Sequence, residues 1–175
     1  GLASLAAAAS VTQGIKVGVG VIPLDRHPAS EIAENASRLP LPMDRLLLGV
    51  GSGGDQKGLD RVRDGVQQLH AGTGTTIIIS ALGPKMTELA GEVADGVLFN
   101  WFTPEFEQRS SQRMADAAAR AGRPRPLTMA YVRCGLLPQA QAKLEERASR
   151  YAKIPQYARH FARMGVSSIE TCVRG

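Results

Sequence analysis

The sequence predicts a parallel α/β fold, and three observations carry that prediction. Six short apolar runs rich in β-branched residues recur along the chain. Segments whose apolar residues repeat at helical spacing join each run to the next. Runs that are apolar throughout need both faces covered, as the strands of a parallel sheet do. A doubly wound open sheet and a β/α barrel both fit. Six units in 175 residues leave room for about two more in the roughly 250 residues of a typical barrel, so a barrel missing its first two units would show this pattern.

Leu2, Leu5, Ala6 and Ala9 recur as one helical face, and Ile15–Ile22 then reads as a strand. Ile32, Ala33, Ala36 and Leu39 are helical again, ended by Pro40 and Pro42. Leu46–Val50 is a short buried strand, and Leu59, Val62, Val66 and Leu69 form a helix face closed by Gly72. Thr75–Leu82 is the strongest strand, β-branched and continuous. Met86, Leu89, Ala90 and Val93 give a helical stripe, Asp95-Gly96 a turn, and Val97–Phe102 a strand. Thr103-Pro104 supplies a capping hydroxyl and a first-turn proline for the helix through Ala121, which Gly122 and Pro124 stop. Leu127–Leu137 is expected as one strand, Gln139–Met164 as a helical region broken at Ile154-Pro155, and Val166–Val173 as the last strand. The expectation is one domain over residues 1–175. Gly1 falls inside a helical pattern and Arg174-Gly175 closes a strand-like run, so both ends are expected to be cut.

Composition excludes several classes. An apolar fraction of 43% is too high for a disordered chain. No run of eighteen apolar residues exists to span a membrane, and Leu2–Val11 lacks the basic leader of a signal peptide. Cys134 and Cys172 make neither a metal spacing nor a disulfide framework, so a reduced, cytoplasmic setting is expected. His27, His70 and His160 fall in separate elements, and no metal site is expected. The net charge of +5 raises the question of nucleic acid, but the basic residues are scattered among acids and aromatics are only 5%. No nucleic-acid or membrane partner is expected.

Four motifs gather toward the C-terminal ends of strands. Gly49-Val50-Gly51-Ser52-Gly53-Gly54-Asp55 runs from a strand through a glycine turn toward a helix, the setting of a phosphate loop. A dinucleotide fold or a methyltransferase would want an acid ending the next strand, and Ser80-Ala81-Leu82 stands there instead. A purely structural tight turn is the competing reading. Ala81-Leu82-Gly83-Pro84-Lys85 is again a strand end running into a helix N-terminus, whose free amides suit an anion. Gly18-Val19-Gly20-Val21 places glycines inside a strand, the mark of a bulge or a close approach. Asn100-Trp101-Phe102 puts an amide and the only tryptophan at a strand end, where plain packing competes with ligand contact. Strand C-termini are where parallel β/α folds bind ligands.

The runs VGVGVIPL, RHPASEIAENASRL, DRLLLGVGSGG and IIISALGPKMTELAGEVADGVLFNWFTPE, from Val17 to Glu105, together resemble the luciferase-like monooxygenase superfamily, and within it the branch that uses the deazaflavin coenzyme F420. The resemblance implies a (β/α)8 barrel of the TIM type, here partial, with about six β/α units and the first two missing. It implies a bulged strand with a non-prolyl cis peptide at Gly20-Val21 backing the cofactor ring. Val50, Gly51, Ser52 and Gly53 would pass beside the cofactor; Ala81, Leu82, Gly83 and Pro84 would bind its phosphate; Asn100 and Trp101 would line the mouth. The implied chemistry is hydride transfer between F420 and a small organic substrate, in a homodimer. FMN-dependent monooxygenation on the same fold is the alternative, as is a non-catalytic remnant that binds a flavin or phosphate. The catalytic acid or base would lie in the two missing units, so no catalytic residue is assigned.

Overall fold

The computed structural model describes residues 1–54 and 58–175. Five strands, β1 (Val17–Pro23), β2 (Leu46–Gly51), β3 (Thr76–Ser80), β4 (Gly96–Asn100) and β5 (Leu127–Tyr131), form one parallel sheet in chain order. Helix α1 (Leu2–Ser10) precedes β1, and α2 (Ala29–Ser37), α3 (Gly58–Thr73), α4 (Pro84–Val93) and α5 (Pro104–Arg120) connect successive strands. The strand order never reverses, and α2 packs on α3, α3 on α4 and α4 on α5. A doubly wound sheet must reverse its order, so this is the winding of a barrel wall.

The main core lies between the sheet and these helices. Leu46, Leu48, Val50, Ile77, Ile79, Val97 and Phe99 meet Val62, Val66, Leu69, Leu89, Ala90 and Met114 there. Polar groups pin the end of the sheet opposite the glycine turns. One Asp95 carboxylate oxygen accepts from Ile77 N–H at 2.8 Å and faces His70 Nε2 at 2.8 Å. The Thr75 hydroxyl donates to Leu46 O at 2.6 Å. Arg45 donates to Ile15 O at 2.8 Å and Thr12 O at 3.0 Å, holding the chain that leaves α1. The predicted cap of α5 is present, with Thr103 Oγ1 accepting from Phe106 N–H at 3.3 Å.

Two expectations need correction. Leu127–Leu137 is not one strand: β5 ends at Tyr131, and β6 (Arg133–Gly135) belongs to a separate two-stranded parallel sheet with β7 (Cys172–Arg174). The expected strand over Val166–Val173 is a 3-10 turn at Ser168–Thr171 before β7. There Glu170 Oε2 accepts from the Ser167 N–H at 2.8 Å and its hydroxyl at 2.6 Å, a local capping box that outcompetes extension. The helical region is α6 (Gln141–Ala152) and α7 (Pro155–Met164), broken at Ile154-Pro155 as expected. With β7 they gather a second core of Trp101, Leu144, Ala148, Phe161 and Cys172. Among the described residues no helix is long and apolar enough to cross a membrane.

Candidate functional site: a cleft across the strand ends

The cleft starts at an irregular strand. The Gly20-Val21 peptide is cis, and the pairing of β1 with β2 shifts register between Val19 and Ile22. Val21 then fills space that β2 leaves open. A Cβ on Gly49 would stand 3.1 Å from Val21 Cγ1, and one on Gly51 would stand 3.3 Å from Val21 Cγ2. From the far strand the Tyr131 hydroxyl reaches Gly20 O at 3.4 Å.

Two cavities open over these ends. One of about 430 Å³ is lined by Gly20, Val21, Ser80, Asn100, Arg133 and Tyr157, among others. The other, of about 450 Å³, runs along the Gly51–Gly54 turn to Leu82 and Gly83, with Arg26 and Arg159 on its walls. Val21, Ser80 and Tyr157 border both, so they form one cleft.

Among the residues expected from sequence, Gly20, Val21 and Asn100 line the first cavity, and Gly51, Ser52, Gly53, Leu82 and Gly83 line the second. Val50 and Ala81 are buried beneath the cleft floor, and Pro84 begins α4. Trp101 does not line the mouth with its ring, which is 1% exposed. Its backbone is left-handed, φ 54°, and the indole packs at 4.8 Å from the Tyr151 ring and 6.0 Å from Phe161.

The glycine turn has a partner of its own. Gly53 has φ 76°, and a Cβ there would overlap the Asp25 carboxyl carbon at 1.9 Å. Asp25 Oδ2 accepts from Gly54 N–H at 3.1 Å. A carboxylate thus sits over this turn and disfavours a second anion against it. Asp55, at the end of the motif, lies outside the described residues. The anion-compatible end of the cleft is the start of α4. Gly83 caps it without a side-chain bond, and helix geometry leaves the Lys85 and Met86 amides without intrahelical acceptors. Arg163 donates to Leu82 O at 2.9 Å beside it.

Arg133, Tyr157, Ser80, Arg26 and Arg159 also line the cleft and were not identified from sequence. A charge inside the apolar run Leu127–Leu137 was the available signal for Arg133, and the helical spacing of Tyr157, His160 and Phe161 marked the inward face of α7. Asn100 Nδ2 donates to the Tyr157 hydroxyl at 3.5 Å, while Asn100 Oδ1 accepts from Arg133 Nη1. Its amide is therefore held from both sides. Burial raises the pKa of the Tyr157 phenol, which keeps it protonated as a donor.

A 5,10-methylenetetrahydromethanopterin reductase of Methanolobus tindarius is 40% identical over 73 residues, 41% of this chain and 22% of that protein. The coenzyme F420 dependent tetrahydromethanopterin reductase of Methanopyrus kandleri superposes with a TM-score of 0.67 at 19% identity, over 95% of this chain and 64% of that one. An F420-dependent secondary alcohol dehydrogenase, solved with an F420-acetone adduct, gives 0.74 at 15% identity, over 99% of this chain and 69% of that one. The chain thus spans less than two thirds of the length of both reductases. At these identities the two structures show a shared fold. The sequence profile of the luciferase-like monooxygenases matches residues 58–168, well over half of the chain. The protein belongs to the luciferase-like monooxygenase family.

Proposed function

We propose that this protein is an oxidoreductase that holds coenzyme F420 along the cleft and serves hydride transfer between that coenzyme and a small organic substrate. The observation that carries the reading is the shape and charge of the cleft. Its floor at Gly20, Val21 and Ser80 is uncharged, its α4 end offers amides and arginines, and the one carboxylate described beside it, Asp25, is held on the glycine turn by the Gly54 N–H, away from that end. A planar ring with an anionic tail has that distribution. The relatives named for F420 favour the deazaflavin over FMN.

When bound, F420 would supply the ring carbon C5, which accepts a hydride in the oxidised coenzyme and gives one up in the reduced coenzyme. Gly20, Val21 and Asn100 would border the ring, and the Gly51–Gly53 turn would run beside it. The backbone at Leu82, Gly83 and the first turn of α4, with Arg26 and Arg159, would hold the phosphate. Tyr157 would donate a hydrogen bond between the two cavities, from a hydroxyl that Asn100 already orients.

Titration with F420 and separately with FMN, followed by fluorescence quenching at several salt concentrations, tests this. The expected result is micromolar F420 binding that weakens with salt, with little affinity for FMN. Preference for FMN would move the protein to oxygen-using chemistry on the same fold. Binding of neither would sink the proposal.

A further inference from the structure

The β6–α6 side of the first cavity carries two guanidinium groups that the reading above leaves without a ligand. Arg133 opens β6. Its guanidinium carbon stands 3.9 Å from the Trp101 ring centroid and 5.4 Å from that of Tyr151, and Nη1 donates to Asn100 Oδ1. Stacked on one side and bonded on another, the planar fork is held in one orientation, which suits oxyanion recognition. Arg147, on the exposed face of α6, lines the same cavity.

Among the described residues, neither arginine makes an ion pair and no carboxylate lines this cavity. Burial, the largest influence, holds the Arg133 guanidinium below its ordinary pKa. Two like charges facing one space without a counterion repel, and an anion between them relieves that cost. Tyr151 and Tyr157 add hydroxyls around the same space. The cavity, about 430 Å³, falls within the roughly 300–1,000 Å³ of small-molecule sites. It lies at the other end of the cleft from the amides that open α4.

We infer that Arg133 and Arg147 form an anion subsite that takes a carboxylate or phosphate group of the organic substrate. The assignment to the substrate rests on the hydride-transfer reading, since that reading gives the cofactor's phosphate to the α4 end.

Trp101 is the only tryptophan and lies against the Arg133 guanidinium, so its fluorescence reports on the subsite. The probe is inorganic phosphate, titrated into the full chain at constant ionic strength against a chloride control. A saturable change is expected in the parent. In Arg147→Ala the affinity should fall on the order of tenfold. Arg147 is exposed, so the fold should survive, which near-ultraviolet circular dichroism checks. A response no different from chloride, or an affinity unchanged in Arg147→Ala, would overturn the subsite.

The same variant titrated with F420 separates the two sources of the anion. Phosphate binding together with F420, and F420 affinity within about twofold of the parent, supports a substrate group. Competition between them, with equal losses in the variant, overturns it by giving the anion to the cofactor. Saturable phosphate binding with no F420 binding supports the subsite and overturns the reading it rests on. F420 binding without a phosphate response overturns the subsite alone.

Discussion

At His160 the chain places an ionisable ring where water does not reach. The residue is 0% exposed, and its Nε2 lies 2.7 Å from Trp101 O. A carbonyl can only accept, so Nε2 carries a hydrogen. Phe106 closes over it edge-on at 4.8 Å. Burial, the largest influence, pushes the His160 pKa below its ordinary value. In the unfolded chain the ring takes up a proton near pH 6.5, whereas the folded protein resists it until lower pH. The stability that this ring confers is therefore complete above about pH 6.5 and is lost as pH falls toward the depressed folded value. Urea midpoints measured from pH 7.5 downward should decline in the parent, and His160→Gln, which can still donate to Trp101 O, should flatten that decline. Parallel curves would show that other groups carry the pH dependence. The glycines and strand ends of the cleft were readable at this scale because close backbone demands glycine at Gly49, where a Cβ would stand 2.3 Å from Val19 O, and a positive φ favours it at Gly53. Asp25 was not, because its bond to Gly54 joins two loops that only the fold brings together.

Helices α4 and α5 meet more closely than a side chain permits. A Cβ on Gly91 would stand 2.3 Å from Met114 O, a backbone atom that cannot rotate aside. On α3, a Cβ at Gly65 would meet the terminal Cδ1 of Leu24 at 2.7 Å, and that methyl can turn away. Gly91→Ala should thus cost about 1–3 kcal/mol in urea unfolding. Gly65→Ala should cost less, since alanine's helix propensity, about 1 kcal/mol better than glycine's, offsets its contact. Equal losses would contradict close helix approach as the cause. The same logic explains which elements were legible. β2 and β3 are continuous apolar runs, and α4 and α5 begin at prolines, so local chemistry sufficed. The break at Val132 was hidden, because an apolar pattern records burial and not which sheet a residue joins. Arg133, the first residue after that break, lines the cleft.

Among the described residues, apolar surface stands beside strand edges that carry no partner strand. β1 and β5 end the larger sheet, and the smaller sheet has only β6 and β7. Leu127, Val132, Leu136 and Val173 are each more than half exposed. Open edges beside exposed apolar residues favour association. Sedimentation velocity should show a homodimer whose fraction grows with concentration, and Leu136→Lys combined with Val173→Lys should shift it toward monomer. A concentration-independent monomer would refute this.

The dependence of the second core on Trp101 also has a consequence for synthesis. Each strand from β2 to β5 pairs with the one made just before it, so the larger sheet can assemble as the chain emerges. Trp101 is made with that sheet, but Leu144, Ala148 and Phe161 leave the ribosome dozens of residues later. At about 5–20 residues per second, the nascent protein carries an uncovered indole for several seconds. That interval is when a chaperone would meet it, and its address on the nascent chain is the end of β4.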